Sequence, residues 1–124
     1  MKGFPINIIS DIILWLENKE YINDELFATN WSQSRLKNKP MGRYRLNQEL
    51  KIKGIDQEII HKILDKTYND IDELTLARNL IDKKIASAKL KKFFLDPKKI
   101  YNFLLRRGFS REISKKIYDE INDA

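Results

Sequence analysis

The sequence predicts an all-α fold made of repeated helical units, and three observations support this. The 124 residues include no valine, three prolines and four glycines, a composition that favours helices over strands. Apolar residues recur at helical spacing in most segments. A motif that begins with glycine occurs three times along the chain, which indicates a repeat architecture.

The repeated motif is a glycine, a large apolar residue and a residue that can start a helix. Its copies begin at Gly3, Gly54 and Gly108, which are nearly evenly spaced along the chain. Behind each glycine, two isoleucines lie four residues apart and therefore share one helix face. These pairs are Ile8 with Ile12, Ile59 with Ile63, and Ile113 with Ile117. Each copy therefore predicts a tight turn that leads into an amphipathic helix.

The glycine and the residue after the apolar position have separate structural tasks. Gly54 and Gly108 each follow a predicted helix, where a residue with positive φ is least costly as glycine. Asp56 and Ser110 can cap the next helix, and Pro5 suits a first turn, which needs no amide donor. Gly54 and Gly108 are therefore the predicted structural turns.

Seven helices follow from these boundaries, in chain order. They are predicted at residues 5–18, 23–36, 41–53, 56–69, 71–92, 97–107 and 110–122. Grouped in threes, they give a first repeat at 1–38 without its opening helix, a second at 39–94, and a third at 95–124 without most of its closing helix. Leu46 corresponds to Ile100 and Leu50 to Leu104, so we expect these four side chains in the core.

Net positive charge is confined to two blocks of the chain. Residues 31–54 hold seven Lys or Arg and one acidic residue, and residues 83–111 hold ten and one. Such segregation is typical of a surface that faces phosphates or an acidic protein. A charged surface that only keeps the protein in solution is the alternative.

Three segments, in order along the chain, resemble the RecX family of recombination regulators. Residues 34–56 (SRLKNKPMGRYRLNQELKIKGID) resemble its central motif of basic residues, Pro, Gly-Arg, Leu or Ile, Glu-Leu and Lys-Gly-Ile. The matching positions are Arg35, Lys37, Pro40, Gly42, Arg43, Leu46, Glu49, Leu50, Lys53, Gly54 and Ile55. Residues 21–31 look like its Tyr-Ile-Asp-Asp-Glu-Arg-Phe-Ala segment, with Asn23 and Leu26 as departures. Residues 103–113 look like its Arg-Arg-Gly-Phe-Ser turn.

This resemblance implies tandem three-helix repeats in an elongated, curved array. It also implies a regulator of DNA repair, homologous recombination and the SOS response, without catalysis of its own. Such a protein binds the RecA filament on DNA and inhibits its ATPase, extension and strand exchange. We expect a monomeric chain that acts in the cytoplasm, with RecA as its partner and weak direct DNA contact as a further option.

The basic residues give the candidate binding site. Cations at a helix start oppose the helix dipole, so helix stability does not explain the first block. In the second block, Lys91, Lys92, Arg106 and Arg107 lie near helix ends, where stability explains them as well as binding does. The residues expected to bind RecA or DNA are Arg35, Lys37, Lys39, Arg43, Arg45, Lys51, Lys53, Lys98, Lys99, Arg106 and Arg107. Tyr44 and Tyr101 could stack on bases, although packing at the edge of the core is the commoner role.

Other features argue against an enzyme. There is no cysteine and one histidine, His61, which aligns with polar positions and should be exposed. No phosphate-binding loop or metal-ligand spacing is present, so we expect no cofactor and no metal. Leu14 and Trp15 stand where the other copies are charged, and we expect them to pack on a neighbouring helix. A surface that a missing helix or a partner covers is the alternative. No apolar run is long enough for a membrane span, and no signal peptide is evident.

Two other functions remain open from the residues alone. One is a basic helical module that binds DNA directly. Against it, the helices that follow Gly54 and Gly108 begin with Asp56, Glu58 and Glu112, which would repel phosphates. The other is an adaptor repeat that binds an acidic protein outside recombination.

Overall fold

A computed structural model describes residues 6–91 and 95–123, and this part of the chain forms six α-helices and no strand. The helices are α1 (Ile6–Asn38), α2 (Arg43–Ile52), α3 (Gln57–Asp70), α4 (Glu73–Leu90), α5 (Pro97–Arg106) and α6 (Arg111–Asn122). The predicted all-α class is confirmed. The Gly3-Phe4-Pro5 copy of the motif and Lys92 lie outside the described residues.

The first two predicted helices are one continuous helix of 33 residues. The predicted break between residues 18 and 23 is wrong because this stretch holds no glycine or proline, and its Lys19 and Glu20 favour helix. The corresponding segment between α3 and α4 is not helical. Ile71 is extended with φ −124°, and the Asp72 side chain caps α4 by accepting a hydrogen bond from the Thr75 amide.

The turns after α2 and α5 have the predicted geometry. Gly54 has φ +84° and Gly108 has φ +88°, so both glycines end their helices in the left-handed conformation, as predicted. Ser110 caps α6, its Oγ accepting a hydrogen bond from the Ile113 amide at 3.1 Å. Asp56 occupies the cap position of α3, but its side chain makes no capping hydrogen bond.

Two buried clusters divide the described helices into an amino-terminal bundle (α1, α2, α3) and a carboxy-terminal bundle (α4, α5, α6). In each, the third helix packs on both of the others. The first cluster includes Ala28, Met41, Leu46, Leu50, Ile55, Ile59, Ile60, Ile63 and Leu64. The second includes Ala77, Ile81, Ile100, Leu104, Phe109 and Ile117. The four predicted core positions of α2 and α5 are therefore buried.

These clusters group the helices differently from the three sequence-based repeats. The sequence-based division joined α4 to α2 and α3, whereas Ala77 and Ile81 of α4 share a core with α5 and α6. The division at residues 38 and 94 stays a prediction.

The amino-terminal half of α1 lies outside both cores. Residues 10–23 are all exposed. Leu14 and Trp15 are exposed, so the expectation that they pack on a neighbouring helix is wrong. The physical reason is that α1 joins the buried cluster only from Ala28 onward. His61 is exposed, as predicted.

Candidate functional site

The two bundles meet where α2 begins and α5 ends. The Gly42 amide donates a hydrogen bond to the Arg107 carbonyl at 2.7 Å, and the Tyr44 amide donates one to the Gly108 carbonyl at 3.1 Å. A Cβ atom on Gly42 would overlap the Gly108 carbonyl group, and one on Gly108 would overlap the backbone of Arg45. Both glycines are therefore needed for the close approach of the two backbones.

Two further side chains fix the start of α2. Glu73 of α4 accepts a hydrogen bond from the Arg43 amide at 3.0 Å, and the Tyr68 hydroxyl donates one to the Met41 carbonyl at 2.8 Å. Burial raises the pKa of Glu73, although the bond from Arg43 opposes this. Burial also raises the pKa of Tyr68. Since Gly42 has no side chain to cap α2, Glu73 supplies the acceptor from the other bundle.

This contact brings cations from both basic blocks together. Burial, followed by the nearby charge of Arg45, lowers the pKa of Arg107. The Arg107 guanidinium donates to the Pro40 carbonyl at 3.2 Å and lies 5.2 Å from the centroid of the Phe103 ring. Lys84 Nζ lies 4.3 Å from the same centroid. Lys84 and Arg107 thus share one aromatic ring, beside Arg45 of the other bundle.

A second group of cations surrounds Glu49 and Trp31. Glu49 Oε1 accepts from Arg35 Nε at 2.9 Å and from Trp31 Nε1 at 3.0 Å. Arg45 Nε lies 3.6 Å from Glu49 Oε2. The Arg35 guanidinium and Lys53 Nζ lie 4.7 and 4.8 Å from the centroid of the Trp31 ring. Arg45 therefore connects this group to Arg107.

We call this surface the basic joint. It consists of Arg35, Arg45, Lys53, Lys84 and Arg107. Among the contacts that the described residues make here, Glu49 supplies the carboxylate, so positive charge exceeds negative charge. Arginine can pair with carboxylates or phosphates through two hydrogen bonds. The surface is therefore suited to an anionic partner, whether a phosphate backbone or an acidic protein.

The structure brings together four of the residues predicted from the sequence: Arg35, Arg45, Lys53 and Arg107. Arg43 points elsewhere and pairs with Asp65 of α3, where its hydrogen bond lowers the pKa of that carboxyl. Lys98 and Lys99 are in the first turn of α5, about 13 Å along the helix from the joint. Four more are exposed, and their side chains make no described contact to the joint: Lys37, Lys39, Lys51 and Arg106.

Sequence reasoning missed the groups that hold these cations in place. Lys84 was part of the second basic block but was not among the expected binding residues. Phe103 and Trp31 were read only as parts of motifs, and nothing in the sequence indicated that Glu49 lies among cations. No local signal could have found them, because each aromatic ring and the lysine beside it belong to different helical segments. Phe103 is in α5 and Lys84 in α4, while Trp31 is in α1 and Lys53 ends α2.

Comparison with known families assigns both bundles. Residues 23–64 match the family model described as the second three-helix domain of RecX, and residues 70–117 match the one described as the third three-helix domain. The chain belongs to the RecX family. The matched residues begin within α1 and end within α6, so the amino-terminal half of α1 lies ahead of both matched domains.

Several curated relatives carry the name regulatory protein RecX. The one from Finegoldia magna is 33% identical over 94% of this chain and 57% of its own length. Those from Chlorobaculum tepidum and Escherichia coli are also 33% identical, over 90% of this chain and 66% and 65% of their own lengths. The chain thus spans roughly three fifths of these relatives. No solved structure gives a significant match.

No helix between residues 6–91 or 95–123 combines the length and apolarity that membrane crossing requires. In the same ranges, no three His, Asp or Glu side chains are grouped as metal ligands would be.

Proposed function

We propose that this RecX-family chain binds RecA filaments on DNA and restrains their ATP hydrolysis, extension and strand exchange, without catalysis of its own. The names of the relatives support a regulatory role. The observation that carries the proposal is the basic joint, because two basic blocks that are far apart in sequence converge there. A filament coating DNA offers both phosphates and carboxylates to such a surface.

The joint holds its cations before any partner arrives. Arg107 is restrained by the Pro40 carbonyl and the Phe103 ring, and Arg35 by Glu49 and the Trp31 ring. Less side-chain entropy is then lost when an anion binds. Because Arg107 and Arg45 repel each other, an anion placed between them would relieve that repulsion.

The direct test is DNA-dependent ATP hydrolysis by RecA on single-stranded DNA, with this chain added below the RecA concentration. We expect the rate to fall, and we expect the chain alone to hydrolyse neither ATP nor DNA. RecA activity that stays unchanged at an equimolar amount of the chain would refute the proposal.

Charge reversal on both sides of the joint tests where the partner binds. The variant Arg45→Glu with Lys84→Glu changes one exposed residue in each bundle and should need at least about tenfold more protein for the same inhibition, since two charge-assisted contacts are lost. Arg43 is unsuitable because it pairs with Asp65 of α3. Circular dichroism should show that the helices remain.

The matched control is Lys98→Glu with Lys99→Glu, which makes the same charge change at the far end of α5. It should inhibit RecA nearly as well as the parent. Binding of both variants to DNA alone, over a salt series, separates the DNA-module alternative. A parallel loss of DNA affinity and inhibition in the joint variant would identify phosphates as its ligand.

A further inference from the structure

The carboxy-terminal bundle carries one tetrapeptide twice. The sequence Lys-Lys-Ile-Tyr occurs at residues 98–101 in α5 and again at residues 115–118 in α6. The isoleucines of the two copies, Ile100 and Ile117, are buried in the same core. Since each isoleucine anchors its helix, the lysines and tyrosines beside it are held in similar positions on α5 and α6, which pack on each other.

One lysine and the tyrosine of each copy line a cavity between the two helices. Its volume is about 410 Å³, within the range of about 300–1,000 Å³ that is typical of ligand sites. We call this cavity the tyrosine groove. The described residues that line it are Lys98, Tyr101, Asn102, Lys115 and Tyr118. None of these five is acidic and none belongs to the basic joint, so the groove is separate from the joint.

The two tyrosines of the groove offer flat faces to a ligand. The ring centroids of Tyr101 and Tyr118 lie 6.3 Å apart, with an angle of 79° between the ring planes. In such an edge-to-face pair, the ring that contributes its edge keeps both of its faces free of the other ring. Both side chains are half-buried, so their conformations are restricted before a ligand binds. The groove is therefore suited to another flat ring, such as a nucleobase.

Neither helix stability nor ion pairing explains the two lysines of the groove. Lys98 lies in the first turn of α5, where a cation opposes the helix dipole. Within the part of the chain that the structure describes, neither Lys98 nor Lys115 forms an ion pair, whereas the adjacent Lys116 lies 3.7 Å from Glu112. Both lysines of the groove are exposed, so their ammonium groups are available to an anion.

A three-helix bundle does not require these lysines and tyrosines. In the amino-terminal bundle, the positions that correspond to the two lysines hold Tyr44 and His61. The positions that correspond to the two tyrosines hold Asn47 and Leu64. That bundle nevertheless forms the same glycine turn and a core of its own. Folding alone therefore does not account for the residues that line the tyrosine groove.

We propose that the tyrosine groove binds an unpaired nucleotide of single-stranded nucleic acid. The base stacks on a tyrosine ring, and the phosphates next to it pair with Lys98 and Lys115. Proteins that bind single strands without reading their sequence combine aromatic stacking with cations in this way. The carboxylates of an acidic peptide would pair with the lysines but leave the tyrosine faces uncovered. The site requires neither RecA nor the basic joint, so it is independent of the proposed function, and its loss should leave RecA inhibition nearly unchanged.

Fluorescence anisotropy with a labelled oligothymidylate of about twelve residues, over a salt series, tests the lysines. In Lys98→Gln with Lys115→Gln, affinity should fall and the salt dependence should become shallower by about 1.4, since each phosphate contact on a single strand contributes about 0.7. The matched control is Lys99→Gln with Lys116→Gln, which removes the other lysine of each tetrapeptide and should bind nearly as the parent does. Equal losses in the two variants would overturn the proposal.

Replacing the tyrosines separates stacking from charge. Tyr101→Leu with Tyr118→Leu should lower the affinity about fivefold or more at every salt concentration, because a stacked base is lost while both cations remain. The salt dependence should stay as in the parent. Tyr101→Phe with Tyr118→Phe keeps both rings and should bind as the parent does. An affinity that the leucine variant retains in full would contradict the proposal, and the lysine variants decide it if the leucine variant fails to fold.

Competition experiments identify the ligand. The parent should prefer the oligothymidylate to a duplex of equal length, whose bases are already paired, and the leucine variant should lose this preference. The mononucleotide dTMP should displace the oligothymidylate only at far higher concentrations, because it has no second phosphate group for the second lysine. Displacement by dTMP at equal concentration would show a free nucleotide as the ligand. Oligoglutamate that binds in place of the oligothymidylate would show an acidic protein, and either result would overturn the proposal.

Discussion

Gly54 and Gly108 occupy the same place in two copies of one motif, and their surroundings differ. Their φ angles are +84° and +88°. A Cβ atom on Gly54 would meet nothing within 4 Å, whereas one on Gly108 would overlap the Arg45 backbone. Helix termination therefore favours glycine at both turns, but of the two turns the second is also a point where the bundles touch. Two copies of the same sequence motif can thus contribute differently to the stability of the fold.

The largest effect should come from Gly108→Ala. The left-handed conformation alone costs an alanine about 1 kcal/mol, and overlap with a backbone that cannot rotate away adds to it. We expect a loss of about 3 kcal/mol or more, since overpacking typically costs about 1–3 kcal/mol. Urea denaturation of variant and parent measures it. A loss no larger than that of Gly54→Ala would show that the bundles do not touch at Gly108.

Gly42→Ala isolates the contact from the backbone conformation. Gly42 has φ −82°, which any residue adopts. The substitution therefore tests only the steric overlap of a Cβ atom with the Gly108 carbonyl. We expect a loss of about 2 kcal/mol, the middle of the range for overpacked sites. If this variant denatures at the same urea concentration as the parent, Gly42 does not contact the Gly108 carbonyl in solution.

Gly54→Ala gives the cost of the turn alone. The expected loss is about 1 kcal/mol, from a left-handed alanine in open space. Gly54→Asn should lose less, because asparagine tolerates this conformation better. Equal losses for alanine and asparagine would mean that something other than φ sets the cost.

The contrast also shows what the sequence could predict. Both positive φ angles, the Ser110 cap and the buried Leu46 and Leu50 follow from local rules of helix ends and periodicity. The continuity of α1 was not predicted, because the repeat suggested a break between residues 18 and 23. The residues in that stretch favour helix, and the helix continues through it. A repeat shows which segments correspond, but not whether each copy keeps the same boundaries.

The candidate site was predictable only in part, for a different reason. The two basic blocks were visible as composition, but their convergence depends on contacts between positions far apart in the sequence, such as Arg45 and Arg107. Arg43 and Arg45 were not distinguishable in sequence. The structure separates them, because Arg43 faces Asp65 and Arg45 faces Glu49.

The smallest expected effect concerns Glu73, the carboxyl that reaches from α4 to the start of α2. Burial raises its pKa above the ordinary value of 4.5. Between that value and the raised one, the folded protein binds more protons than the unfolded chain, so this group's contribution to stability falls as the pH rises. Glu73→Gln keeps an oxygen that can accept from the Arg43 amide and carries no charge.

Glu73→Gln should therefore gain stability relative to the parent as the pH is raised from about 4 to 7, and this gain should be the smallest of the effects described. Urea denaturation at several pH values measures this. Glu112→Gln is the control, since Glu112 is exposed on α6, pairs with Lys116 and makes no described contact to the joint. A Glu73→Gln variant that is less stable than the parent at pH 7 would show that the negative charge at the start of α2 outweighs its burial. The contact between the two bundles would then be stabilised by the charge of Glu73 as well as by the close approach of Gly42 and Gly108. The turn at Gly54 makes neither of these contacts.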